Sequence, residues 1–176
     1  MRKVVFITAP DGFRDEEYCK PKQVLEKSGV KVITASTKIG ELIGRFGFKT
    51  TSSLLIENIV PDDFDAIVYV GGGGANIFFD NPHALKLANV FFEKNKPVAS
   101  ICIAGVILAN SGILKGKKAT VFLDGKESLL KGGAIYTGTS LEIDGNIITA
   151  NGPEPAEAFG KAILKAITNC SCAPFS

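Results

Sequence analysis

The chain has 176 residues, the length of one domain, and 45% of them are apolar, enough to fill a single large core. Twenty basic residues nearly balance eighteen acidic ones, with no basic run and no interleaved basic and aromatic stripe, which argues against nucleic acid as a partner. No stretch is long and apolar enough to span a bilayer, so no membrane association is expected.

"MRKVVFITAP" starts like a signal peptide, but its apolar run is short and meets "DGFRDEE" before any cleavage site. The continuous run 3–8 fits a strand covered on both faces of a parallel sheet. "DEEYCKPKQVLEKSG" follows as a helix with acidic residues in its first turn and Gly29 as its stop, Pro21 predicting a kink or a late start to the regular helix. A second strand over 30–36 leads to "ELIGRFGFKTTSSLLIENI", short strands broken by Gly44 and Gly47 and consistent with a β-ribbon. Residues 65–70 form another buried strand that ends in the glycines 71–74. "NPHALKLANVFFEKN" predicts a helix, "PVASI" a strand and "AGVILANSG" a helix. Beyond Gly116 come a strand around "KKATVF", a short helix "KESLLKGG" and the hairpin "SLEIDGNIITA", with Asp144-Gly145 as the centre of a type I′ turn. Phe159, Ile163 and Ile167 space out one face of a last helix. The alternation predicts a flavodoxin-like three-layer α/β/α sandwich with a mostly parallel central sheet, one domain over 1–168, and a flexible tail over 169–176.

In such sheets, ligands bind beyond the carboxyl ends of the strands, where this chain places 11–17, 71–76 and Cys102. A strand ending at Ile101 and a helix opening near Ala104 put Cys102 on a sharp turn of nucleophile-elbow type, whose backbone amides and helix N-terminus favour the thiolate. Gly71, Gly72 and Gly73 permit close backbone approach and present amides, so with the Ile103 amide they could form an oxyanion hole. The glycines lack the spacing of a phosphate cradle.

"DGFRDEE", "FDAIVYVGG", "KPVASIC" with "GILKGKKAT" downstream, and "DGNIITANGPEPAEAFGKAI" occur in the order found in the ThiJ/PfpI superfamily, which the chain resembles over nearly its whole length. The resemblance implies that Cys102 is the elbow cysteine and Glu17 a protonated carboxyl donating to its thiolate. A histidine directly after the cysteine, found in the protease-like branch, is Ile103 here. The carboxylate contributed by a neighbouring subunit in that branch aligns with Asn76, and a polar pocket residue aligns with Phe122. His83 is the only histidine and falls at the start of a surface helix; its reading is a solvated or capping residue.

Without a Cys-His pair, peptidase activity is the least favoured outcome. Two readings stay open: a cofactor-free, cysteine-dependent enzyme acting on small reactive carbonyls or glycation adducts (glyoxalase- or deglycase-like), and a non-enzymatic redox-sensing or chaperone-like stress protein using Cys102. Four cysteines at irregular spacing suggest free thiols and a cytoplasmic location, Cys19 serving packing and Cys170 and Cys172 lying incidentally in the tail. No metal site is expected. The resemblance implies a homodimer or higher oligomer, with some of Phe78, Phe79, Phe91 and Phe92 available for the interface.

Overall fold

The computed structural model describes residues 1–169. In chain order the elements are β1 (Lys3–Ile7), β2 (Asp11–Phe13), α1 (Asp15–Lys27), β3 (Lys31–Ser36), β4 (Gly40–Gly44), β5 (Lys49–Ser52), β6 (Leu54–Leu55), β7 (Ala66–Tyr69), α2 (Pro82–Glu93), β8 (Val98–Ile101), α3 (Gly105–Ser111), β9 (Lys118–Ala119), α4 (Lys126–Lys131), β10 (Ile135–Tyr136), β11 (Leu141–Asp144), β12 (Ile147–Ala150) and α5 (Ala156–Asn169). The expected tail, with Cys170 and Cys172, lies outside the described residues.

A seven-stranded sheet in the order β11-β12-β8-β7-β1-β3-β6 is parallel except for β11. Its central strands are buried on both faces, as their unbroken apolar runs require. The period-2 alternation divides β1 cleanly. Val4 and Phe6 join the core under α1 and α5, while Val5 and Ile7 join the core under α2, α3 and α4. The result is the expected three-layer, flavodoxin-like sandwich. Beside it, β4 and β5 pair antiparallel as the anticipated ribbon, and β2 joins that ribbon along β4.

Three local expectations change. The first helix opens at Asp15 and runs through Pro21 as one element, so there is no late start; the missing proline N–H leaves only the Glu17 carbonyl without its helical donor. The hairpin closes through Gly145 and Asn146, since Asp144 already pairs with Ile147. Gly145 has φ 61° while Asn146 is not left-handed, the pattern of a type II′ rather than a type I′ turn. Phe78 and Phe91 are buried and so are not available for an interface, while Phe79 and Phe92 pack against the same core and stay partly exposed. Among the described residues the exposed aromatics are Phe46, Phe48 and Phe122.

α5 packs against α1 where Gly160 meets Pro21. A Cβ on Gly160 would stand 2.7 Å from the Pro21 Cα and 3.1 Å from the Val24 Cβ. Alanine there gains about 1 kcal/mol of helix propensity, but the backbone contact forces the helices apart at a cost of about 1–3 kcal/mol. Gly160→Ala is therefore expected to lower the urea midpoint; an unchanged or higher midpoint would refute this account of the α1–α5 contact.

Candidate active site

The sheet order reverses between β1 and β7, and the loops beyond β1, β7 and β8 converge there. β8 ends at Ile101, residues 102–104 form a 3-10 turn and α3 opens at Gly105. Cys102 has φ 59°, a left-handed conformation that a side chain bearing a Cβ occupies only where its surroundings enforce it. The amides of Ile103 and Gly72 point at its sulfur. The side chain is buried but not sealed, at 9% exposure, on the floor of a pocket of about 250 Å³.

The three consecutive acidic residues at the start of α1 have separate tasks. Asp15 accepts from the amides of Phe46 and Phe48 at 3.2 and 3.1 Å, fastening the β4–β5 turn to the helix. Glu16 takes the Arg14 guanidinium, Nε to Oε2 at 2.7 Å. Glu17 turns inward, is fully buried and faces the Cys102 sulfur. Among the described residues neither Glu17 carboxyl oxygen forms an aligned hydrogen bond, so the thiol meets the acid without the geometry of a completed bond.

The glycines make this meeting sterically possible. A Cβ on Gly71 would collide with Glu17 Oε2 and lie 2.6 Å from the Ile101 carbonyl and 2.7 Å from the Cys102 Cβ. At Gly72, φ is 99° and a Cβ would strike the Arg14 amide; at Gly74 it would strike the Asp11 carbonyl. The Arg14 amide donates to the Gly71 carbonyl at 3.0 Å, locking the two loops backbone to backbone. Gly73 has open space around it and lines the pocket.

Ile103 and Phe122 also line the pocket, the Phe122 amide donating to the Cys102 carbonyl at 3.3 Å. Asn76 is exposed on the turn after the glycines and is not part of this pocket. His83 is exposed near the start of α2, its amide capped by Asn81. Cys19 packs half-buried against the α1–α5 core. The sequence reading missed Arg14, Arg45, Asp124 and Pro153, which complete the pocket wall.

Burial pushes the Glu17 carboxyl up to about 7; the Cys102 thiol and the Arg14 charge oppose the rise, and Glu16 adds to it. Burial likewise pushes the Cys102 thiol up to about 12, with the Glu17 charge as the next cause, against the amides of Ile103 and Gly72. The thiol is therefore raised rather than lowered, contrary to what its position on the elbow suggested: α3 is only seven residues long, and burial beside a carboxylate outweighs the dipoles. The two groups titrate as a pair. When the pair holds one proton, a charge on Glu17 would be fully buried with the Cys102 S–H as its donor, whereas a charge on sulfur would have the amides of Ile103 and Gly72 and the neutral acid's O–H.

Among the described residues no helix is long and apolar enough to cross a membrane, and no group of three His, Cys, Asp or Glu side chains is placed to hold a metal ion.

A cysteine in left-handed backbone at the switch point of a parallel sheet, faced by a buried acid from the first helix, defines a nucleophile-elbow α/β protein. The chain belongs to the DJ-1/PfpI family, whose pattern matches residues 2–166. It is 46% identical to an uncharacterised protein of Methanocaldococcus jannaschii over 94% of this chain and 82% of that one. It is 32% identical to a deglycase of Thermococcus kodakarensis over 92% of this chain and 97% of that one. The structure of a ThiJ/PfpI domain protein from Brachyspira murdochii superposes with a TM-score of 0.93 at 32% identity, covering 95% of this chain and 96% of the other.

Burying Glu17 has a sign that can be measured. The proton that Glu17 gives up at 4.5 in the unfolded chain is kept by the folded Glu17–Cys102 pair up to about 7, so the stability it permits is full below 4.5 and is lost as pH rises through 7, a loss on the order of 3 kcal/mol. Denaturant unfolding from pH 4.5 to 8 should show this decline in the wild type and not in Glu17→Gln; parallel profiles would contradict the buried neutral acid.

Proposed function

We propose that the chain is a cysteine-dependent enzyme acting on small reactive carbonyl compounds or the adducts they form with amines. The observation that carries this reading is the fully buried Glu17 carboxyl facing a sulfur held in left-handed backbone. The Cys102 sulfur adds to an aldehyde carbon; the C–S bond forms, the π pair moves to oxygen, and oxygen takes the Glu17 proton to give a thiohemiacetal. With an α-ketoaldehyde, the Glu17 carboxylate then removes the adduct's carbon-bound hydrogen, and reprotonation at the neighbouring carbon leaves a thioester. Water cleaves the thioester to a hydroxy acid and restores the thiol, so the net change is the addition of one water. Both working groups are side chains of this protein, so the sequence of steps needs no cofactor. The deglycase named among the relatives supports this reading.

Cys102→Ser should lower the rate of methylglyoxal loss by roughly 10²-fold or more, followed by derivatisation and chromatography. Equal rates in wild type and variant would dismiss the enzyme.

A second reading has its own support. The Gly72 and Ile103 amides and a neutral Glu17 would hold the oxygens of an oxidised Cys102 as readily as a thiolate. Under mild peroxide, peptide mass spectrometry should then find Cys102 oxidised before Cys170 and Cys172. The reverse order would count against redox sensing.

A further inference from the structure

The pocket over Cys102 carries two guanidinium groups that the chemistry above does not use. Arg14 and Arg45 both line it, one from the residue preceding α1 and the other from the β4–β5 turn. Both cluster on a single ring: the Phe46 centroid lies 4.8 Å from the Arg14 guanidinium carbon and 5.8 Å from that of Arg45. Placing two like charges against one aromatic ring costs free energy unless an anion joins them. Glu16 partly compensates Arg14 from one edge, through Nε and Nη2, leaving Nη1 without a hydrogen bond among the described residues. Among the described residues Arg45 forms no ion pair, although Asp124 lines the same pocket. The turn that carries Arg45 is fixed, because Asp15 holds the two amides flanking Gly47 and the Arg45 amide donates to the Phe13 carbonyl at 2.8 Å. A planar fork pre-positioned at the mouth of a pocket is suited to a carboxylate or phosphate.

We propose that Arg14 and Arg45 form an anion handle, so that the preferred substrate is an aldehyde or ketoaldehyde bearing its own carboxylate or phosphate, with the carbonyl at Cys102 and the anion at the arginines. This rests on the carbonyl-directed reading for the reacting group, but its test does not need turnover. Iodoacetate and iodoacetamide are nearly isosteric alkylating agents that differ in charge. The ratio of their rates at Cys102, read by peptide mass spectrometry at pH 7 and 10, cancels any change in thiol ionisation. In the wild type the ratio should exceed that of a free small thiol. It should fall about threefold in Arg45→Gln and further in the Arg14→Gln, Arg45→Gln double variant, with Arg45→Lys keeping part of the gain. In a second arm, protection of Cys102 from iodoacetamide is compared for succinic semialdehyde against butanal and for glyceraldehyde 3-phosphate against glyceraldehyde. Better protection by the first anion identifies a carboxylate, and by the second a phosphate. A ratio that is the same in wild type and variants, or no advantage for either anionic aldehyde, overturns the handle. A sensitive ratio without methylglyoxal loss would leave the handle standing and remove only the enzyme.

Discussion

The contact on which the rest of the site depends is a carboxyl group taken fully out of water and set against a sulfur. A carboxylate there has no N–H donor and no solvent, so the neutral acid is the comfortable form through the lower half of the pH range. The thiol beside it cannot ionise easily while the acid is charged. The two groups are thereby forced to share a proton, and the amides of Gly72 and Ile103 decide which one carries the charge. Nucleophile and acid are thus produced in one step from the same pair. An isolated low-pKa cysteine would supply the first without the second.

That contact is held by backbone rather than by side-chain packing. The loop after β7 lies directly on the loop after β1, with Gly71, Gly72 and Gly74 each occupying space that a Cβ would deny to Glu17, Arg14 or Asp11. The elbow residue pays for its left-handed conformation inside the same cluster, fastened through its carbonyl to the Phe122 amide. Because these loops hang from three adjacent strands whose registers are continuous from β1 through β7 to β8, the geometry at the sulfur is set by the sheet. Asp15 extends the same framework outward by tying the β4–β5 turn to the first turn of α1.

Most of the sheet was legible because its strands are continuous apolar runs of strand length between glycines and helices, a pattern that few other folds share. The elbow was legible for the same reason: a strand and a helix cannot succeed each other across one residue without a sharp turn. What escaped was set by tertiary contact. Nothing local distinguishes Glu17 from Asp15 and Glu16, and Glu17 was singled out only through the family resemblance; the three part company because helical spacing turns only one of them toward the β8 elbow. The type II′ turn depended on pairing register, which moved the loop one residue beyond Asp144. Arg14 and Arg45 are 31 positions apart by the numbering and meet only because β2 pairs with β4. "GRFGF" between two short strands was the available signal, since a tight turn with a basic residue and aromatics at its tip has no core to fill and must face outward.

The residues where the family's protease-like branch would place polar groups sharpen the chemical argument. Ile103 is half-buried, its Cδ1 packed toward Gly125, and Phe122 stands 44% exposed at the opposite wall. Neither can carry a proton. Amide cleavage must deliver one to the nitrogen of a breaking amide bond. Addition to an aldehyde asks for a single proton, delivered to the oxygen that forms as the thiolate attacks, and no group has to leave. The inventory at this elbow is one anion and one proton, which matches the second demand and falls short of the first. The proposed chemistry at carbonyl carbons therefore stays within what Cys102 and Glu17 can supply without a histidine.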